Sequence, residues 1–284
     1  MGFNFRNDKV DVFIPDDCMA GPALERTTHL SIAAHPDDLE IMSYQAIAAC
    51  YKKEHEWFSG FVVTDGSGSP RGGDFKSCSL QQLAAARAYE QKQAARIGEY
   101  GSLVMLNYTS QEVKNDRPHD LVHDLQELIR LARPRVVYTH NLADRHPTHV
   151  AVALRTIEAL RGLEEPFRPH RLYGCEVWGS LDWLPGEDKV VFDTSLYPDL
   201  ASSLIKVFES QIGIGKHYDT AVMGRRMANA TFSDPHQADE HRSVTFGMDL
   251  TPLVEDPKIE IEDYVRRLLE RYAKDVLDRM KELT

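Results

Sequence analysis

Four short apolar runs punctuate the first half of the chain: LSIAA (30–34), EWFSGFVVT (56–64), SLVMLNY (102–108) and RVVYTH (135–140). Segments with helical spacing separate and follow them, over 38–52, 79–98, 118–132 and 147–161. In the second of these, Leu80, Leu83, Ala84 and Ala94 share a face. In the third the shared face carries Val122, Leu125, Ile129 and Ala132, and in the fourth Val150, Ala153, Leu154 and Ile157. A run that is continuously apolar suits a strand buried on both faces. Such strands alternating with helices build βαβ units. The expected fold is therefore α/β, a doubly wound, Rossmann-like and mainly parallel sheet with helices on both faces. One domain over 1–284 is expected, with 1–28 an irregular lead-in, 29–160 a core, and 161–284 an elaborated C-terminal third. In that third, RLYGCEVWG and KVVFDTS read as strands, and 196–211, 217–229 and 261–281 as helices.

Composition narrows the partners. The formal net charge is −11 with no basic stripe, so neither nucleic acid nor an anionic membrane surface is expected. No window approaches the roughly 18 apolar residues that span a bilayer, and MGFNFRNDKVDVF lacks the apolar core of a signal peptide. Cys18, Cys50, Cys78 and Cys175 form no C-x-x-C pair and read as free thiols in a reducing, cytoplasmic setting.

Open parallel sheets bind ligands beyond the carboxyl ends of their strands. Two of those ends are rich in ligating side chains: HPDD (35–38) and THNLADRHPTH (139–149). His35 and Asp38 stand three residues apart where a strand becomes a helix, and His146 and His149 repeat that spacing in an equivalent place. An imidazole, a carboxylate and a second imidazole from adjacent loops suit Zn²⁺ with water in the open fourth position. Asp37 then remains beside the metal, free to take a proton from water. HPDD alone is equally a capped helix start with a surface histidine. The second histidine pair is what favours a metal.

These motifs resemble those of the PIG-L (LmbE-like) family of zinc-dependent de-N-acetylases. AHPDDLE (34–40) is similar to its A-H-P-D-D-x-E. TDG (64–66), RAYE (87–90) and HPTH (146–149) follow in the family's order, and SQIG (210–213) resembles a later S-Q. The resemblance implies one zinc ion per chain on His35, Asp38 and His149, with Asp37 as general base. It implies His146 as the charged partner of the oxyanion or the leaving amine. Arg87 and Asp65 would meet the substrate, an N-acetylated amino sugar or its conjugate, and relatives suggest a homo-oligomer.

Two departures matter. HPTH carries Thr148 where the family usually has Asp, so Asp144 is expected to stand in as partner of His146. The loop SGSPRGG (67–73) suggests a lid, or an anion-binding nest around Arg71. Trp178 and Trp183 read as core or cleft wall. Competing readings are an amidase of the same family acting on a larger amide, and a metal-binding regulator weakened by Thr148. A dinucleotide-binding oxidoreductase lacks its G-x-G-x-x-G after the first buried strand.

Overall fold

The computed structural model describes residues 4–115 and 119–284. Residues 1–3 of the expected lead-in, and Pro118 at the expected start of a helix, lie outside them. Eight strands form one sheet: β1 (Asp11–Phe13), β2 (His29–Ala33), β3 (Phe58–Thr64), β4 (Ser102–Tyr108), β5 (Val136–His140), β6 (Arg171–Cys175), β7 (Lys189–Asp193) and β8 (Val244–Asp249). Their order across the sheet is β1-β4-β3-β2-β5-β6-β8-β7. The five strands from β4 to β6 are parallel. Antiparallel partners extend the sheet at both edges.

Successive side chains of the central strands enter two different cores. Leu30, Ile32, Phe61, Val63, Val104 and Leu106 pack under the helices His119–Ala132 and Pro147–Arg161. Ala33, Val62, Leu103 and Met105 pack on the opposite face, with residues of Asp38–Met42, Tyr44–Cys50, Leu80–Ile97 and Pro198–Lys206. The doubly wound expectation is realised, and the central strands are apolar on both sides because both sides are covered.

Several local expectations fail: the helix expected over 196–211 is two, Pro198–Lys206 and Glu209–Ile212, and Leu80 is exposed rather than on the inner face of its helix. The lead-in contributes the edge strand β1 and a helix, Ala20–Glu25. The single helix expected over 38–52 breaks at Ser43, whose Oγ lies 2.7 Å from Ser31 Oγ in β2. β8 is an additional strand inserted between β6 and β7, with Gly247 at its middle. A Cβ there would fall 2.5 Å from the Phe192 ring on β7, so the residue that reads as a breaker is the one that lets two strands pack.

Chain order fixes where a ligand can enter. β2, β3 and β4 step one way across the sheet, and β5 returns to the other side of β2. The switch point between β2 and β5 is where the crevice of a doubly wound sheet opens. HPDD follows β2, and the segment ending in HPTH follows β5.

Candidate active site

Three ligating atoms converge at the switch point. His35 Nδ1 lies 3.1 Å from Asp38 Oδ2 and 3.1 Å from His149 Nε2, and the last two are 3.3 Å apart. His149 and Asp38 are buried to the last few percent of their surface. Burial opposes charge on His149, but Asp38 and Asp144 override it and raise its pKa to about 10. Burial would likewise raise Asp38, yet His149, His35 and His140 hold it well below the carboxylate range. A tetrahedral Zn²⁺ with donors about 2.0–2.1 Å away has ligand–ligand edges of about 3.3 Å. The triangle matches one face of that tetrahedron, and its two nitrogens and one oxygen are ordinary zinc donors.

Asp37 sits at the N-cap of Asp38–Met42 but makes no capping hydrogen bond. Its φ of 96° is left-handed, a strain of about 1–3 kcal/mol for a non-glycine residue. Two side chains of Leu80–Ile97 hold it there. Gln91 Oε1 accepts the Asp37 N–H at 3.0 Å, while Arg87 Nη2 donates to Asp37 Oδ2 at 3.1 Å and to Pro36 O at 2.5 Å. Burial pushes the Asp37 carboxyl up, with Asp38 adding to it and Arg87 opposing, to about 7. The alternative of an ordinary capped helix start does not describe this turn.

Arg87 is 1% exposed. Its remaining Nη1 donates to Gly66 O at 3.2 Å and to Ser69 Oγ. Both terminal nitrogens are thus engaged within the protein. Arg87 lines the cavity, and its guanidinium also ties Asp37 to the loop after β3. Gly66, at φ +67°, makes the clamp fit, since a Cβ would lie 2.8 Å from Arg87 Nη1. Behind the clamp, Gln91 Nε2 and Tyr100 Oη donate to Glu40 Oε1, both at 2.7 Å. Glu90, the last residue of RAYE, accepts from Ser210 N at 2.7 Å and Ser210 Oγ at 2.5 Å. The R-x-x-E and S-Q segments are therefore joined directly.

His146 caps Pro147–Arg161, its Nδ1 accepting the Thr148 N–H at 3.3 Å. The ring proton then resides on Nε2. Burial, then His149 and His35, lower the His146 pKa to about 4, the direction that Thr148 in place of Asp suggests. The expected Asp144–His146 side-chain dyad is absent. Asp144 Oδ1 accepts the His146 backbone N–H at 2.8 Å and lies 3.3 Å from His149 Nδ1, and Oδ2 accepts the N–H groups of Trp178 and Gly179. Burial raises Asp144, but His149 and these amides bring it down to about 2. The carboxylate beside HPTH is Asp144, and it approaches His149 rather than the His146 ring.

Two other expectations are displaced. Asp65 accepts the Ser67 N–H at 3.0 Å, and Arg71 Nη1 donates to Cys78 O at 2.7 Å. Neither lines the cavity, whereas Gly68, Ser69 and Pro70 of the same loop do. One buried histidine went unread. His140, at the end of β5, accepts the Ala34 N–H on Nε2 at 2.8 Å and stacks on His149 with ring centroids 3.9 Å apart. Its place at a polar strand end was the available signal.

These groups open into a cavity of about 560 Å³. His35, Asp37, Asp38 and His146 lie in its wall, with Trp178 and Tyr218 among the side chains contributed by the C-terminal third. Among the described residues, no helix is long and apolar enough to cross a membrane.

Known proteins share both the fold and the motif region. The uncharacterized deacetylase YaiS of Escherichia coli is 27% identical over 162 residues, covering 53% of this chain and 80% of that protein. The N,N'-diacetylchitobiose deacetylase of Pyrococcus horikoshii superposes with a TM-score of 0.65 at 18% identity, over 88% of this chain and 93% of that one. The 4-carboxy-2-hydroxymuconate hydratase GalB of Pseudomonas putida superposes at 0.61 and 19%, over 79% of this chain and 95% of that one. At such identities these two structures establish the fold alone, and their different reactions illustrate why. The profile of the PIG-L family, described as GlcNAc-PI de-N-acetylase, matches residues 30–160, the span that holds the whole ligating triangle and the residues around Arg87.

Proposed function

We propose that the protein is a metal-dependent hydrolase that removes the acetyl group from an N-acetylated amino sugar or its conjugate. The observation that carries this reading is the triangle of His35 Nδ1, Asp38 Oδ2 and His149 Nε2 with an unligated carboxylate, Asp37, beside it. One zinc ion on that triangle would supply Lewis acidity toward both water and the amide carbonyl.

The chain's own groups perform the rest. Asp37, with its pKa near 7, accepts a proton from the attacking water at neutral pH. Arg87 and Gln91 fix its direction. His146 presents Nε2–H to the cavity, where it donates to the oxyanion that develops on the acetyl carbonyl. The proton gained by Asp37 passes to the departing nitrogen as the C–N bond breaks, leaving acetate and a free amine. Asp144 orients His149, a role that outer carboxylates commonly play for ligating histidines.

The test is acetate release from a panel of N-acetylated sugars by the zinc-loaded chain, repeated after chelation. Zinc-dependent release that Asp37→Asn abolishes supports the reading. Absence of release from every sugar, with no zinc found by metal analysis, refutes it.

A further inference from the structure

Glu176 is a buried acidic residue that no step of the proposed reaction uses. It follows β6 directly and is 1% exposed. Its side chain nevertheless accepts hydrogen bonds on both oxygens. The Leu181 N–H reaches Oε1 at 2.6 Å. Asn229 Nδ2, Thr245 Oγ1 and the Phe246 N–H reach Oε2 at 2.9, 3.2 and 2.9 Å. All of these donors are neutral. They come from the loop after β6, from the helix Tyr218–Thr231 and from β8. Burying a carboxyl group is costly unless its oxygens are engaged, and here both are.

The segment so held is 176–181. The Leu181 N–H closes it on itself, and the bonds to Oε2 pin its start to β8 and to Asn229. Inside the loop, the successive N–H groups of Trp178 and Gly179 donate to Asp144 Oδ2 at 2.9 and 3.1 Å. Adjacent amides that converge on one oxygen make a small anion nest. The facing segment is fitted to this loop. Asn141 Nδ2 donates to Cys175 O at 2.9 Å and to Gly179 O at 3.4 Å. A Cβ on Gly179 would fall 2.9 Å from both Ala143 O and Asp144 Cα, so only glycine permits the approach. With Oδ2 fixed by the nest, Oδ1 of Asp144 meets the His146 N–H and stands 3.3 Å from His149 Nδ1.

Resting on the metal-site reading above, we propose that Glu176 is a positioning residue for the candidate zinc ligand His149. It shapes the loop whose amides fix Asp144, and Asp144 fixes the imidazole. The matched family profile ends at residue 160. The orientation of His149 therefore draws on β8 and the helix Tyr218–Thr231, which lie beyond that span and supply no member of the triangle. Outer partners of a ligating histidine govern its affinity for the metal, and Glu176 acts one step further out.

The test reads zinc affinity by chelator competition on the folded chain, without turnover. Glu176→Gln keeps the shape but sets an amide NH₂ against donors that need an acceptor. It should weaken zinc binding by about fivefold or more. Glu176→Asp keeps the charge on a shorter arm and should weaken it less. The decisive comparison is a double-mutant cycle with Asp144→Asn. A residue that acts through Asp144 loses its effect once Asp144 is gone, so Glu176→Gln should then change zinc affinity by less than about twofold. Equal weakening in both backgrounds is the mark of a general structural role and overturns the proposal. Unchanged affinity in either single variant overturns it as well. Should Glu176→Gln not fold, Glu176→Asp enters the same cycle under the same criteria. A wild-type chain that binds no zinc overturns the metal-site reading and this inference together. Tight zinc binding and the expected cycle, with no acetate released from any sugar, would refute the deacetylase reading and sustain the role of Glu176.

Discussion

Replacing Arg87 by methionine separates two roles for that residue, clamping the base or reading the substrate. The substitution keeps apolar bulk but removes the donors to Gly66 O, Ser69 Oγ, Pro36 O and Asp37 Oδ2. Breaking a buried ion pair by deleting one partner costs about 3–5 kcal/mol, which urea unfolding would register. The electrostatic consequence is more specific. At an effective dielectric constant of about 20, unit charges about 4 Å apart interact by about 4 kcal/mol, equivalent to at most about three pH units in a carboxyl's titration. Asp37 already stands near 7, raised by burial and lowered by Arg87. As the proposed base it would work only when ionised, so activity should climb with pH through its pKa, and anything that raises that pKa should move the climb to higher pH. Profiles of kcat/KM between about pH 5.5 and 9.5 should show the acid limb of Arg87→Met at least one pH unit above that of the wild type. Arg87→Lys, which keeps the charge but not the fork, should fall much closer to the wild type while losing stability. An unmoved acid limb in Arg87→Met, with KM alone increased, would refute the clamp and return Arg87 to substrate recognition.

The remaining expectations address the metal, its orienting carboxylate and the buried acid behind them. Asp38→Ala should lose zinc on dialysis, whereas Asp37→Ala should retain it and lose turnover by about 10²–10⁴-fold; equal zinc loss in both would invert the assignment of the two aspartates. Asp144→Asn should weaken zinc binding about 10–100-fold in chelator competition, and an unchanged affinity with an altered pH–rate profile would instead favour a dyad with His146. Burial raises Glu40 from 4.5 to about 8, against the pull of Tyr100 and Gln91. Between those values the folded chain holds a proton that the unfolded chain has released, so stability falls as pH rises. Glu40→Gln should gain on the wild type over that window by up to about 1.4 kcal/mol per pH unit; denaturation midpoints that run parallel at pH 5 and pH 8 would contradict this.

The parallel half of the fold is legible because burial on both faces writes itself into the sequence as unbroken apolar runs. The edges are not. β1 is three residues long and half-buried, and β8 has Gly247 where a propensity reading sees a break. Only the position of the Phe192 ring explains that glycine. At the site, the short spacings His35–Asp38 and His146–His149 are local and readable, and the structure brings all four side chains together. What the sequence hides is pairing across distance. Arg87 lies on an inward face, but that it turns to Asp37 depends on Gly66 and Pro36 from two other loops. Asp144 is two residues from His146 in sequence, yet its side chain faces His149, because the chain turns at 144–146 and the backbone N–H of His146 takes its other role. Gln91 acquires meaning only once the strands are assembled, whereas His140 stood within a polar strand end, THNLADRHPTH, without a readable partner.

The strain at Asp37 ties these strands together functionally. Had the turn after β2 been built to start a helix at least cost, Asp37 would cap it and its carboxylate would face backbone amides. Its left-handed φ instead removes the carboxylate from the cap and turns it toward Arg87 and the cavity. The turn itself contributes two bonds, the Asp38 N–H to His35 O at 3.2 Å and the His35 N–H to Asp38 Oδ2 at 2.8 Å, around Pro36 and Asp37. Further support comes from Leu80–Ile97, where Arg87 and Gln91, one helical turn apart, take the carboxylate and the amide of the same residue. The carboxylate proposed as base is thus aimed by one βα unit and the triangle of candidate ligands is assembled by two others. Geometry between Asp37 and the triangle is consequently set by the packing of three strands, which close packing makes stiff. A substitution at Gly66 or Gln91, although neither touches the ligating atoms, acts on the same placement of Asp37 against the triangle as a change in HPDD itself.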